Sequence, residues 1–81
     1  MMIMAGMMMR TLVAIIKGHS VTVRSESGHG VNCPIIDVEN NRVWVRFPTG
    51  SVIDMGWDDG RRLYVGRSAR LEFTVDPREN S

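Results

Sequence analysis

Two runs of alternating apolar and polar residues flank the pair at positions 40–41, an Asn-Asn dipeptide near the middle of the chain. A period of two is typical of β-strands that bury one face. Asparagine tolerates positive φ better than other residues with a Cβ, so the pair suits a type I′ turn between two strands. In the resulting register Val38 opposes Val43 and Ile36 opposes Val45, which predicts an apolar inner face.

The other face of this predicted hairpin is charged. Glu39 lies opposite Arg42, and Asp37 lies opposite Trp44. Because side chains alternate along a strand, Arg46 falls on the same side as Arg42 and Trp44. The pattern therefore predicts a tryptophan flanked by two arginines on the outer surface.

Short strand patterns recur along the rest of the chain and are separated by turn residues. The predicted strands cover residues 11–16, 21–24, 31–36, 51–55, 61–65 and 70–75, with Val21 and Val23 inward, Leu63 and Val65 on one face, and Pro34 at a strand start or on an edge. The predicted turns and loops cover residues 18–20, 25–30, 48–50, 56–60 and 66–68. Turn signals at this spacing, without a convincing helix, predict an all-β fold: a single small, strongly bent β-barrel of five to seven short antiparallel strands.

The length of 81 residues predicts one domain with a thin core. We assign the barrel to residues 10–76 and expect the charged residues 77–81 to form a frayed tail. Residues 1–9 hold six of the seven methionines. This Met-rich segment has three interpretations: a disordered leader from an upstream start codon, an extra strand or apolar plug, or an adaptable contact surface.

The stretch from Gly18 to Phe47 resembles a KOW/Tudor-type small barrel. The matching positions are Gly18, residues 21–23, the loop with Gly28 and Gly30, Ile36, Val38, the turn at 40–41 and residues 43–47. The resemblance covers about a third of the chain. It implies a bent barrel fold, and it implies no particular function because many unrelated barrels share the pattern.

Composition narrows the possible surroundings and partners. The net charge is +1, which argues against a dedicated polyanion binder, although all but one of the 10 basic residues are arginine. The single cysteine, Cys33, has no partner for a disulfide within the chain, so a cytoplasmic location is the simplest expectation. Arg10 and Lys17 interrupt the apolar start, so we expect no membrane span, and a thin core favours a homo-oligomer.

The outer group Arg42, Trp44 and Arg46 is the leading candidate site. An exposed aromatic beside guanidinium groups suits a protein interface, and the same arrangement stacks nucleic-acid bases. A third interpretation is structural, with Trp44 covered by another part of the chain. The facing carboxylates favour a protein interface over nucleic-acid binding, because they cancel much of the positive field, and the structural interpretation stays open beside it.

A second candidate group follows the predicted loop at residues 56–60. It consists of Arg61, Arg62, Tyr64, Arg67 and Arg70, and it is either a basic outer face or a solvated surface paired with nearby acidic residues. Trp57, beside two aspartates, is either an exposed anchor for a basic partner or a plug for one end of the barrel.

Catalytic and metal signatures are weak. His19, His29 and Cys33 lack the spacing of a zinc site, and no third group orients Cys33 and His29 as a nucleophile pair. The sequence therefore predicts a chain that is not an enzyme and carries no cofactor or metal.

The leading functional hypothesis is a non-enzymatic small binding module that acts through protein–protein contact, such as a regulator or inhibitor of a larger complex of the type that mobile elements encode. The first alternative is a nucleic-acid-binding barrel that uses the Arg/Trp face. The second is a structural subunit of an oligomer.

Overall fold

The computed structural model describes residues 15–80, which form an all-β closed barrel. Its six strands are β1 (Ser20–Ser25), β2 (Gly30–Glu39), β3 (Arg42–Arg46), β4 (Val52–Asp58), β5 (Leu63–Ser68) and β6 (Leu71–Val75). Each strand pairs antiparallel with the next, and β6 pairs with β1 to close the barrel. The predicted small antiparallel barrel is confirmed, and no helix occurs within the described residues.

Strand β2 is the longest and is shared between two neighbours. Its residues up to Pro34 pair with β1, and its residues from Ile35 onward pair with β3. Pro34 was predicted at a strand start or edge, but it lies inside β2, opposite Ser20. Pro34 lies where β2 begins to pair with β3, and backbone hydrogen bonds between Ile35 and residues 18–19 continue the contact on the β1 side.

The barrel interior is filled by inward-pointing side chains from all six strands. Val21 and Val23 point inward as predicted. The buried apolar residues of the described chain are Ile15, Val21, Val23, Cys33, Ile35, Val43, Val45, Ile53, Met55, Tyr64 and Val75. β-branched side chains dominate this set, and they suit a pleated, tightly curved wall.

The central hairpin forms with most of its predicted register. Val38 pairs with Val43, Glu39 with Arg42, and Asp37 with Trp44. Further along, however, Ile35 and not Ile36 pairs with Val45, because an irregularity between Ile35 and Asp37 inserts one residue.

This β-bulge turns Ile35 into the core, where it is 1% exposed, and leaves Ile36 half-buried. The predicted type I′ turn is also wrong. Only Asn40 has positive φ, at 23°, whereas a type I′ turn needs it at both central positions.

Strand β4 runs three residues further than predicted. Residues 56–58 were expected to lie in a loop, but Gly56 pairs with Arg42 on one side and Val65 on the other. The turn occupies residues 59–62 instead. The backbone N–H of Arg62 donates to the Asp58 carbonyl at 2.7 Å, and the Asp58 carboxylate accepts from Gly60 N–H.

Strand β5 continues through the predicted break at residues 66–68. Gly66 is needed there for close approach and not for a turn. A Cβ at this position would lie 2.8 Å from both the Asp54 carbonyl oxygen and Met55 Cγ, and 3.1 Å from Ile53 Cγ2. The absent side chain lets β5 lie directly against the inner side of β4.

We therefore expect Gly66→Ala to lower the free energy of unfolding by about 1–3 kcal/mol, because the backbone carbonyl of Asp54 cannot yield as a side chain would. The measurement is chemical denaturation followed by circular dichroism. Gly56→Ala is the matched control, since the nearest atom to its new Cβ is the Arg42 guanidinium at 3.8 Å. Equal destabilisation by both variants would contradict this account of Gly66.

The β5–β6 hairpin turns through Ala69 and Arg70, and Ser68 pairs with Leu71 across it. Both central residues have positive φ, 52° at Ala69 and 66° at Arg70. This is the type I′ pattern, which normally selects asparagine and glycine. Arg70 was predicted to begin a strand, but it belongs to this turn.

Because residues with a Cβ are disfavoured at positive φ, Arg70→Gly should raise the free energy of unfolding by about 1 kcal/mol. Thermal unfolding of the two proteins measures the change. Arg70→Ala is the control, since it removes the charge and keeps the Cβ, and it should give no gain. A similar gain in both variants would show that charge at this turn matters and backbone conformation does not.

Residues 77–80 were predicted to be frayed, but they form a turn that lies against β1. Pro77 is buried, and the side-chain oxygen of Asn80 accepts a hydrogen bond from Thr22 N–H at 2.8 Å. The Glu79 carboxylate forms an ion pair with Arg24. Hydrogen bonds from Arg78 hold the pKa of Asp76 below its usual value.

The predictions for the start of the chain fall mostly outside the described residues. This applies to the Met-rich segment and to most of the predicted strand at residues 11–16. Of that strand only Ile15 and Ile16 are described, and neither is in a strand. Residues 15–80 contain no helix that is long and apolar enough to cross a membrane.

Candidate functional site

The Trp44 face is the outer surface of β2, β3 and β4 around Trp44. Alternation along β3 turns Val43 and Val45 into the core and Arg42, Trp44 and Arg46 outward. Trp44 is half-buried, and its cross-strand partners are Asp37 on β2 and Asp54 on β4. The indole therefore has a carboxylate-bearing residue on each side, which the sequence showed only for Asp37.

The two arginines of this face differ in their surroundings. Arg42 Nη1 lies 2.5 Å from Asp54 Oδ2, and both side chains remain about half exposed. Arg46 pairs across the ladder with Val52, which is 48% exposed. One guanidinium is thus tied to a carboxylate, whereas the other stands beside an exposed apolar side chain.

The second predicted group does not form a single basic face. Arg61 and Arg67 both approach the same carboxylate, at 3.2 Å and 3.8 Å from oxygens of Glu72. Arg62 and Arg70 lie in two different turns, at opposite ends of β5. The positive charge is therefore partly neutralised and spread along the barrel.

Tyr64 does not share the outer face of these arginines. It is 9% exposed and points into the barrel, where its ring lies 5.0 Å from that of Trp57 in an edge-to-face arrangement. The Tyr64 hydroxyl is protonated at neutral pH, as tyrosine ordinarily is, and burial raises its pKa further. Trp57 is half-buried and packs against the core, and its indole N–H points to Asp59 Oδ1 at a long 3.4 Å.

These two aromatic residues form part of the wall of a cavity at the end of the barrel next to the β2–β3 turn. We call it the end cavity. Its volume is about 330 Å³, and its lining residues are Ile15, Val38, Asn40, Asn41, Trp57, Tyr64 and Pro77. All seven side chains are uncharged. A position at one end of the barrel was one of the two interpretations of Trp57 in its predicted loop, but no sequence pattern indicated that Pro77 and Ile15 would join it there.

A second aromatic pair lies away from the end cavity and packs against the core. Phe47 and Phe73 lie edge to face with ring centroids 5.0 Å apart. Leu71, two residues before Phe73 on the same strand face, is 48% exposed. The two aromatic pairs therefore differ: Trp57 and Tyr64 line the end cavity, whereas Phe47 and Phe73 are not among its lining residues.

Cys33 is fully buried at 0% exposure, and burial raises the pKa of its thiol. A protonated, inaccessible thiol is a poor nucleophile. His19 and His29 are exposed. Within the described part of the chain, no three His, Cys, Asp or Glu residues are arranged to hold a metal ion.

We expect Cys33 to resist alkylation by iodoacetamide in the native protein at neutral pH and to react fully in denaturant. The reason is that the thiol lies inside the barrel wall and stays protonated. Mass spectrometry of the intact protein counts the added groups. Rapid modification without denaturant would contradict the burial of β2 at this position.

The fold and these surfaces define a small, closed, six-stranded antiparallel β-barrel with a mixed-charge aromatic face and an uncharged end cavity. Comparison of the chain with protein-family models, with curated proteins and with solved structures found no match. Any function is therefore inferred from the chemistry of these surfaces.

Proposed function

We propose that this chain is a non-enzymatic binding module that contacts another protein through the Trp44 face. The observation that carries the proposal is the position of Trp44 between Asp37 and Asp54, with Arg42 paired to Asp54. A half-buried tryptophan supplies a large contact area at little entropic cost, and arginine beside it is typical of the residues that dominate binding energy.

The same observation argues against a polyanionic partner. A phosphate approaching Trp44 meets carboxylate-bearing residues on both flanking strands, and the Arg42 guanidinium is already paired with Asp54. Binding of a nucleic-acid backbone depends on several cations that are free to replace counterions. A protein partner instead meets alternating charges, which fix the register of an interface.

A role as a small regulator or inhibitor of a larger complex fits a module of this size. The surface lacks a large apolar area among its described residues, where Val52 and Leu71 are the large hydrophobic residues that remain exposed. Such a face suits a partner that binds and leaves, because permanent interfaces are larger and more apolar. A second copy of this chain is one such partner.

The test begins with affinity capture on the full chain, followed by identification of the retained protein, its purification and calorimetric titration. Trp44→Ala should weaken the purified complex at least about tenfold, as expected for a central aromatic anchor. Glu26→Ala, an exposed position in the β1–β2 loop, is the control and should leave the affinity unchanged.

A complex that is equally tight with wild-type protein and Trp44→Ala would contradict the assignment of this face. The proposal also fails if mixed-sequence DNA or RNA quenches Trp44 fluorescence in a Trp57→Phe background and the affinity falls steeply as salt rises. That result would establish the nucleic-acid alternative, because counterion release is its signature.

A further inference from the structure

The end cavity offers hydrogen-bond donors that the fold leaves unused. Asn40, Asn41 and Tyr64 line the cavity, and neither the two side-chain amides nor the Tyr64 hydroxyl forms a hydrogen bond with another residue among 15–80. Both asparagines are exposed, and no buried side-chain nitrogen or oxygen atom of the described residues lacks a partner, so these groups are open to solvent and to a ligand. The Trp57 indole N–H has only its long contact with Asp59. Polar groups with free donors at the rim of an apolar cavity are typical of a site that orients a ligand.

The lining limits the chemistry of that ligand. No charged side chain of residues 15–80 lines the cavity, so none of these residues neutralises a phosphate or a carboxylate there. Its volume of about 330 Å³ lies near the lower end of ligand pockets, which span roughly 300 to 1,000 Å³. A neutral segment of two or three residues fits these limits, whereas a nucleotide does not.

The barrel also limits the backbone conformation of a bound segment. The strands that border the cavity are paired on both sides, so an extended peptide cannot add to the sheet there. Main-chain recognition must then come from side-chain donors acting on peptide carbonyls. Polyproline II segments suit this arrangement, because their carbonyls are free and proline has no N–H to leave unsatisfied.

The aromatic walls favour the same ligand. Trp57 and Tyr64 stand edge to face at 5.0 Å, and Pro77 and Val38 continue the apolar surface. Proline rings pack well in aromatic-lined grooves, and the preformed polyproline II helix loses little entropy on binding. We propose that the end cavity binds a proline-containing polyproline II segment of a partner protein. The cavity is separate from the Trp44 face, so this inference stands without the proposed function.

Phage selection with random decapeptides on the immobilised full chain tests the inference without presupposing a sequence. Enriched peptides should share one proline or two adjacent prolines, since the cavity has room for a segment of two or three residues. The best peptide, synthesised with blocked ends, should bind Tyr64→Phe and Asn41→Ala roughly two- to tenfold more weakly than wild type, the effect of one lost hydrogen bond. Tyr64→Phe keeps the ring contact with Trp57, and Asn41→Ala keeps the backbone carbonyl that accepts from Trp57 N–H.

Trp44→Ala is the matched control and should bind the same peptide with unchanged affinity, because Trp44 lies on the outer face of β3. Selection of peptides without a shared proline, or no enrichment, would overturn the inference. Loss of binding in Trp44→Ala would also overturn it, since the peptide would then sit on the Trp44 face. Unchanged affinity in both Tyr64→Phe and Asn41→Ala would exclude the cavity as the site.

Discussion

The junction between the first and last strands is the constraint on which the rest of the barrel depends. Within residues 15–80, the ladder between β1 and β6 consists of two residue pairs, Arg24 with Thr74 and Ser25 with Phe73. Beyond Val75 the chain leaves the ladder, and Asn80 supplies the acceptor for Thr22 N–H that a longer β6 would have supplied. The barrel is therefore closed by a short β-ladder and by one side-chain hydrogen bond from Thr22 N–H to Asn80. Closure pairs the edge of β1, which could otherwise pair with a strand of another chain.

Closure also decides where the surfaces stand. The interior of a small barrel is just wide enough to be filled by inward side chains. Each strand therefore contributes a few inward residues to the core, and the alternate residues point outward and form the surface. Two edge-to-face aromatic pairs pack against this core. At one end Trp57 and Tyr64 leave a cavity beside the β2–β3 turn. The Trp44 face thus lies on the outer surface of the barrel, whereas the end cavity lies at one of its ends, and both positions depend on barrel closure.

Alternation along the chain was enough to predict the barrel, the central hairpin and the outward position of Trp44, because burial of one face imposes a period of two. The predicted strand register was wrong where one extra residue interrupts the alternation. The bulge between Ile35 and Asp37 shifted the register, and no local pattern announces such an insertion.

The predictions for Gly66, Tyr64 and the tail residues were wrong for a different reason, because their roles depend on contacts with distant parts of the chain. Gly66 was interpreted as a strand break, but its role is a close contact with β4, which depends on residues ten or more positions away. Tyr64 was grouped with the arginines that surround it in sequence, although its strand position turns it inward. Asn80 and Pro77 gain their roles from β1 and from the end cavity, so their polar, terminal context suggested only fraying.

Direct observation of the closing junction tests this account most decisively. Nuclear Overhauser spectra of the full chain should show cross-strand contacts between Ser25 and Phe73 and between Arg24 and Thr74, together with a slowly exchanging Thr22 amide. Absence of contacts between the first and last strands, with fast exchange at Thr22, would mean that the barrel is open. The Trp44 face and the end cavity would then no longer be defined, because both positions depend on a closed barrel.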